Sequence, residues 1–371
     1  MANLLGDAPA DVIKIPSLRR PIRPLSDVIT LIRLLRIVRR YRPRIIHTHM
    51  AKAGSLGRLA GILYNRFGRG RKPGQRAILI HTFHGHVLDG YFSSWTSRLF
   101  LRIERWLAAR TDCLIAVSPA VRRDLLALGI GRARQWRVVP LGLELSDLSR
   151  LDAPAPRGTI HLGMVGRLVP IKNVSLFLES LQRLATRTRE PFSAAIVGDG
   201  PLRAELEREV ARRSLAPRVR FTGWQRDLPA VYRELDIVCL TSLNEGTPVA
   251  LIEAMATGRP VVATAVGGVV DLLADGLDAS HIPAGDYVIT DRGLIVRPGD
   301  AEGFTRALER LLGDTDLRER LGQAARAFVL ERFSSDRLIR DIDHLYQEVL
   351  SGEPHRPAST FAPTHEVSCA S

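Results

Sequence analysis

The residues best suited to chemistry sit in a few short stretches of the chain. Glu245 and Glu253 stand eight residues apart in LTSLNEGTPVALIEAMATGRPVVATAVGG, residues 240–268. Carboxylates cannot bind phosphate, but they accept hydrogen bonds from sugar or ribose hydroxyls. Gly246, Thr247 and Pro248 follow Glu245 at a predicted helix start, where glycine permits close approach and free N–H groups suit an anion. For Glu253 the alternative is a buried, capped or ion-paired helix carboxylate. Arg167 and Lys172 close a second candidate, GRLVPIKN, residues 166–173. A planar donor fork and a point charge behind a strand suit a diphosphate, and the alternative is a loop with two solvated cations. Gly198-Asp199-Gly200-Pro201 is by itself only a turn signal.

Five of the ten histidines form two clusters, His47 with His49, and His81 with His84 and His86. His47 and His81 fall inside predicted strands, where packing is the plainer reading. His84 and His86 fall at strand ends and suit contact with sugar or acceptor hydroxyls. Zinc is disfavoured because no cysteine is near and carboxylates are sparse. Lys52, in HMAKAGSLGRLAG (49–61), either meets an anionic acceptor or is a solvated loop lysine. Asp314-Thr-Asp316 and Asp341-Ile-Asp343 do not follow strands and read as caps or surface charges, so no metal is expected.

Positioning these groups falls to alternating strands and helices. Short β-branched runs are predicted as strands at residues 11–15, 44–47, 78–83, 113–117 and 137–141. A second series follows at 160–165, 194–197, 219–221, 237–240, 260–263 and 293–296. Helical periodicity between them covers 25–40, 95–109, 119–128, 174–186, 201–214, 228–234 and 248–256. Buried, non-alternating strands separated by helices mean a doubly wound α/β sheet, where ligands sit at the carboxyl ends of the strands. The Pro/Gly-rich stretch 151–158 reads as a linker. The expected organisation is a domain over 1–150, the linker, a second domain over 159–334, a helix over 335–351 that could pack back on the first domain, and a flexible tail over 352–371.

The order GRLVPIKN, IVGDGP, FTGW and EGTPVALIE running into AMATGRPVVAT resembles the donor half of the family 4 (group 1) glycosyltransferases, over residues 160–330. The resemblance implies a GT-B fold: two Rossmann-like domains facing across a cleft. It implies that Arg167 and Lys172 hold the donor diphosphate, Glu253 the ribose, and Glu245 with the Gly246–Thr247 backbone the transferred sugar. Gly200 and Trp224, in IVGDGP and FTGW, join the donor side, the latter flanking the base. HTFHGH is similar to the family segment whose histidine approaches the sugar, which makes His84 and Glu245 the catalytic pair and His86 and Lys52 acceptor-side residues. The implied activity is retaining transfer from a UDP- or GDP-linked sugar to a glycan or polyprenyl-linked acceptor in cell-envelope synthesis, without a cofactor. Such enzymes begin with a strand and a Gly-rich loop, whereas Met1 here opens onto what resembles the third strand. The expectation is therefore a first domain incomplete at its start, and the competing reading is an inactive sugar-nucleotide-binding subunit.

Composition sets the remaining bounds. The 371 residues carry a formal charge of +14, from 53 basic and 39 acidic side chains. Only four of the 53 basic residues are lysines. Dispersed arginine gives a positive surface that favours anionic ligands, without a nucleic-acid recognition motif. No first-strand GxGxxG supports NAD chemistry. Cys113, Cys239 and Cys369 show no paired spacing, which excludes a disulfide scaffold. No apolar run is long enough to span a membrane and no signal peptide is evident. A cytoplasmic protein is expected. Helix 25–40, with Val28, Leu31, Ile32, Leu35 and Val38 on one face and Arg33, Arg36 and Arg40 on the other, is either a core helix with a solvated face or a peripheral contact with an anionic bilayer.

Overall fold

Strands that are covered on both faces are mainly apolar, and runs such as Cys113–Ala116 and Ile237–Leu240 follow that rule. The computed structural model describes residues 11–19, 21–67, 76–85, 94–152, 158–274 and 277–352. Its strands are β1 (Ile45–His49), β2 (Ile78–Phe83), β3 (Cys113–Ala116), β4 (Trp136–Val138), β5 (Ile160–Val165), β6 (Phe192–Val197), β7 (Val219–Gly223), β8 (Ile237–Leu240), β9 (Val261–Thr264), β10 (Tyr287–Ile289) and β11 (Leu294–Val296). The helices between them are α1 (Pro24–Tyr41), α2 (Ala51–Phe67), α3 (Ser94–Ala108), α4 (Pro119–Ala127), α5 (Ser146–Ser149), α6 (Val174–Arg187), α7 (Arg203–Arg212), α8 (Leu228–Arg233), α9 (Val249–Ala256) and α10 (Gly268–Leu273), followed by α11 (Ala301–Gly313), α12 (Thr315–Arg332) and α13 (Ser335–Ser351).

The chain divides into two compact units. The first takes residues 1–83, 87–115 and 126–137, and the second 84–86, 116–125 and 138–371. The division is not at the expected linker: residues 138–150 already go with the second unit, and 153–157 lie outside the described residues. Helix α13, expected to pack back on the domain over 1–150, touches residues 140–141, which lie in that range but go with the second unit. There Arg337 donates to the carbonyls of Pro140 and Leu141 at 2.8 and 2.6 Å. Residues 353–371 of the expected tail lie outside the described residues.

The first sheet has the order β1-β2-β3-β4, with β1 and β2 parallel from Ile45↔Ile78 to His49↔Thr82. Under it a charged pair is buried. Arg58 of α2 donates to both oxygens of Glu104 of α3 at 2.8 and 2.7 Å, with neither side chain more than 2% exposed. Residues 11–15, expected as a strand, form none, and Val12 and Ile13 are exposed. On α1, Val38 is buried, whereas Leu25, Val28, Ile29 and Ile32 are exposed.

The second sheet has the order β10-β11-β9-β8-β5-β6-β7. Every neighbouring pair is parallel except β10 with β11. Both faces are covered. Ala194 and Ile196 of β6 and Ile237 and Cys239 of β8 join a core with Phe177, Leu181, Phe304 and Leu308. Ala195, Val197, Val238 and Leu240 face the other way, into a core with Leu251, Ile252, Met255 and Val329. Burial pushes the Cys239 thiol pKa well up, so this thiol is inert packing. Among the described residues no helix is long and apolar enough to cross a membrane.

Candidate functional site

Strand order locates the crevice. From β5 the chain moves to β6 on one side and later returns to β8 on the other. In a parallel sheet that reversal opens a gap outside the carboxyl ends of the two central strands. The loop after β5 carries Arg167 and Lys172, and the loop after β8 carries Glu245.

The two loops are joined side chain to side chain. Lys172 Nζ makes an ion pair and hydrogen bond with Glu245 Oε1, both partly buried. Ser242 Oγ donates to the same oxygen at 2.6 Å. Backbone ties hold the loops in register: Leu243 N–H donates to the Ile171 carbonyl at 2.8 Å. Thr241 Oγ1 sits 3.0 Å from the carbonyls of both Lys172 and Asn173. The turn at Pro170–Lys172 ends at Asn173 in the left-handed region (φ 45°), which directs the chain into α6. Arg167 is exposed, and its guanidinium has no partner among the described residues.

Glu253 lies on α9 and belongs to a different contact. The hydroxyl of Tyr232, wholly buried on α8, donates to Glu253 Oε2 at 2.8 Å. Burial raises the Glu253 pKa above its ordinary 4.5, and the Tyr232 hydrogen bond opposes that rise. Pro248 stands just before the first residue of α9, and the buried Thr247 Oγ1 has no hydrogen-bond partner among the described residues. A buried hydroxyl without a partner costs free energy unless something else satisfies it.

Backbone packing fixes the Glu245 loop. A Cβ placed on Gly268 would lie 1.8 Å from the Gly246 carbonyl oxygen, so only glycine fits there. Gly268 N–H also donates to the Glu245 carbonyl at 3.1 Å. On its other side Gly246 meets the His84–Gly85 backbone, whose His84 carbonyl oxygen would stand 2.6 Å from a Cβ at Gly246. His84 is thereby brought to the loop of Glu245. Its imidazole keeps solvent access, and partial desolvation lowers its pKa from the ordinary 6.5, which favours the neutral ring.

The neighbouring loops are knitted in the same way. Leu168 N–H donates to the Asp199 carbonyl at 3.0 Å and Gly198 N–H to the Gly223 carbonyl at 2.9 Å. A Cβ on Gly200 would stand 2.4 Å from the Leu168 carbonyl oxygen, so Gly200 supports the β5 loop. Trp224, at the carboxyl end of β7, is 71% exposed.

Lys52, expected on the acceptor side, is engaged by the protein itself. Its ammonium pairs with Asp27 at 2.6 Å and donates to the carbonyls of Arg19 and Pro21 at 2.9 and 2.6 Å. One ion pair and two hydrogen bonds let Lys52 pin the segment before α1. His86 lies outside the described residues. His47 and His81 are packing residues: His47 bonds Thr82 Oγ1 at 2.7 Å, and His81 bonds Thr48 Oγ1 at 2.9 Å. Asp314 caps α12 by accepting from Leu317 N–H at 2.8 Å, and Asp341 pairs with Arg337 at 2.8 Å. Among the described residues no group of three or more His, Cys, Asp or Glu side chains is arranged to hold a metal ion.

Two residues that sequence reasoning missed are Tyr232 and Ser242. For Tyr232 a signal existed, since a phenol within an apolar helix face must find a partner. Ser242 precedes Glu245 by three residues, a spacing that fits many turns.

Comparison with known proteins fits this geometry. Residues 159–314 match the family model described as glycosyl transferases group 1, and residues 5–142 match a glycosyl transferase 4-like domain. An Escherichia coli UDP-Gal:alpha-D-GlcNAc-diphosphoundecaprenol alpha-1,3-galactosyltransferase is 26% identical over 347 residues, 91% of this chain and 83% of that protein. A D-inositol 3-phosphate glycosyltransferase from Salinispora arenicola is 31% identical over 339 residues, 83% of this chain and 69% of that protein. Among solved structures, Anabaena HepE in complex with UDP superposes with a TM-score of 0.69 at 22% identity, covering 90% of this chain and 85% of that one. The chain belongs to the group 1, family 4 glycosyltransferases and has their α/β GT-B fold.

Proposed function

We propose that this glycosyltransferase moves a sugar from a uridine or guanosine diphosphate sugar to a glycan or lipid-linked acceptor, with retention at the anomeric carbon. One observation carries the reading: Lys172 and Glu245 touch across the β5 and β8 loops at the strand-order reversal. A cation for phosphate and a carboxylate for hydroxyls thus share one crevice. In this reading Arg167 and Lys172 meet the diphosphate, and fixed cations beside the leaving group stabilise the charge that develops there. Glu253, with Oε2 engaged by Tyr232, offers Oε1 to the ribose. The unpartnered Thr247 hydroxyl and the Gly246–Thr247 backbone serve the sugar, and Trp224 flanks the base.

The bond from the anomeric carbon to the diphosphate oxygen breaks, and the bond to the acceptor oxygen forms on the same face. The acceptor proton passes to the departing diphosphate oxygen, so no cofactor is required. Glu245 and neutral His84 orient the sugar. The E. coli relative is named for a UDP-sugar donor and a diphosphoundecaprenol-linked acceptor, and HepE was solved with UDP, which supports a UDP-sugar and a lipid-linked glycan here. A lipid-linked acceptor suits a protein resting on the inner face of a plasma membrane. The exposed Leu25, Val28, Ile29 and Ile32 of α1, beside Arg33 and Arg36, suit such a surface.

The test is a panel of UDP- and GDP-sugars scored by thermal shift and by release of nucleoside diphosphate. A ligand at a hundred times its Kd stabilises the folded state by about 2.7 kcal/mol. The expected result is a shift with at least one donor that shrinks in Lys172→Ala and Arg167→Ala. No shift and no release across the panel refutes the reading.

A further inference from the structure

The first unit has a concavity of about 390 Å³ that the donor chemistry does not use. Its lining comes from chain segments just ahead of β2, β3 and β4, among them Arg76, Asp112, Arg132 and Arg134, and from Arg110 just beyond α3. This is the amino-terminal edge of the strands, opposite to the carboxyl edge where α/β sheets bind ligands.

Four arginines line the concavity against one carboxylate, Asp112. That carboxylate is already engaged: one oxygen pairs with Arg76, and the other accepts from Leu79 N–H at 2.8 Å. Arg110 rests on the Trp106 ring, 4.2 Å from its centroid. The guanidinium groups of Arg132 and Arg134 make no hydrogen bond or ion pair with any described residue. Arginine is abundant in this chain, and several arginines of the second unit are mated. Arg183 and Arg187 share Glu302, Arg203 pairs with Glu207, Arg220 with Glu234 and Arg310 with Asp314. Gathering four cations around one hollow with a single, already paired acid sets up a repulsion that a bound anion relieves.

We infer that this concavity is a second anion site, which takes a phosphate group carried by a larger ester. The forked guanidinium donors of Arg132 and Arg134 match phosphate oxygens in geometry and charge. The volume is in the range of small-molecule sites, so it holds more than a bare phosphate. A soluble phosphate ester and a phospholipid headgroup present the same chemistry. Leu99, Ile103 and Trp106 form an exposed apolar stripe on α3 leading to Arg110, so both sources belong in the test.

The experiment uses the full chain. Pyrophosphate is titrated by calorimetry into the wild type, Arg132→Ser/Arg134→Ser, and Arg167→Ser/Lys172→Ser, with circular dichroism and Tm to establish folding. Arg132 and Arg134 are exposed, so their loss leaves the fold intact. The pocket predicts a binding phase that weakens about tenfold or more in Arg132→Ser/Arg134→Ser and survives in Arg167→Ser/Lys172→Ser. An unchanged titration in Arg132→Ser/Arg134→Ser overturns the inference, whatever the donor site does. Loss confined to Arg167→Ser/Lys172→Ser overturns it too, while supporting the donor reading. Given the expected calorimetry, co-sedimentation with phosphatidylcholine vesicles, with and without phosphatidic acid, identifies the source. Sedimentation that requires phosphatidic acid and is lost in Arg132→Ser/Arg134→Ser supports a headgroup. Equal sedimentation of wild type and variant supports a soluble ester.

Discussion

Replacing Gly268 by alanine adds one methyl group, and the structure makes that methyl expensive. The new Cβ would lie 1.8 Å from the Gly246 carbonyl oxygen, where real contacts stay beyond 3.0 Å. One of the two backbones must move by more than about 1 Å, a displacement that costs roughly 100-fold in rate when it reaches reacting groups. Gly246 is held on its far side by the His84–Gly85 backbone, which restricts how the strain is absorbed. The displaced segment carries Glu245, so its contact with Lys172 changes as well. The expected outcome for Gly268→Ala is a fall of about 100-fold in kcat/KM, or about 2.7 kcal/mol of transition-state stabilisation. Overpacking also lowers folding stability by about 1–3 kcal/mol. The assay is nucleoside diphosphate release from the donor that most stabilises the wild type, with urea unfolding measured in parallel. Gly313→Ala is the matched control: nothing lies within 4 Å of its Cβ position, and it ends α11, so the change is neutral or slightly stabilising. Wild-type kcat/KM in Gly268→Ala, or an equal loss in Gly313→Ala, refutes the argument.

Arg58→Met leaves Glu104 buried without its partner and is expected to cost about 3–5 kcal/mol, whereas Arg58→Met/Glu104→Leu recovers most of that loss; urea unfolding of the three proteins tests both halves. His81 supplies an acid-sensitive term. Burial, and next the Arg58 guanidinium, hold its pKa down at about 2 against the ordinary 6.5. The unfolded chain takes up a proton that the folded one refuses, so this stability is complete above pH 6.5 and declines as pH falls toward 2. The loss reaches about 2.7 kcal/mol near pH 4.5, and a histidine NMR resonance that titrates near 6.5 when assigned to His81 would contradict it. Tyr232→Phe removes the donor to Glu253 Oε2 and raises the Glu253 pKa further. Stability should fall by about 1–2 kcal/mol and the donor KM should rise, and an unchanged KM removes Glu253 from the donor contacts.

Much of the architecture was legible because buried parallel strands announce themselves. Ile78–Phe83, Ile160–Val165 and Ile237–Leu240 have the bounds that their apolar runs predict. Other elements lack that signal. β10 is a three-residue edge strand, YVI, paired on one side only and partly exposed. α10 opens on Gly267–Gly268, which reads as a loop, yet there the glycines admit the Glu245 and Gly246 carbonyls. Residues 11–15 fail in the opposite sense. Their composition suits a strand, but strands need a neighbour, and none pairs with them among the described residues.

The site shows the same limit more sharply. Motifs place Lys172 on one loop and Glu245 on another, but they stand 73 positions apart in the sequence, and only the order β8-β5 brings them together. Lys52 is the counterexample. It sits in a family-like segment with the right charge, and yet it is tied by an ion pair to Asp27 and by hydrogen bonds to two carbonyls. The difference lies in what each cation touches. Lys52 is tied to one carboxylate and two carbonyls, whereas among the described residues Lys172 has one carboxylate partner and Arg167 has none. If a diphosphate engages Lys172, the lysine divides its donors between phosphate and Glu245. In the proposed reaction, donor binding therefore alters the electrostatic field at the carboxylate that orients the sugar. Removing Lys172 should accordingly disturb sugar positioning as well as phosphate affinity, and kcat should fall along with the rise in KM.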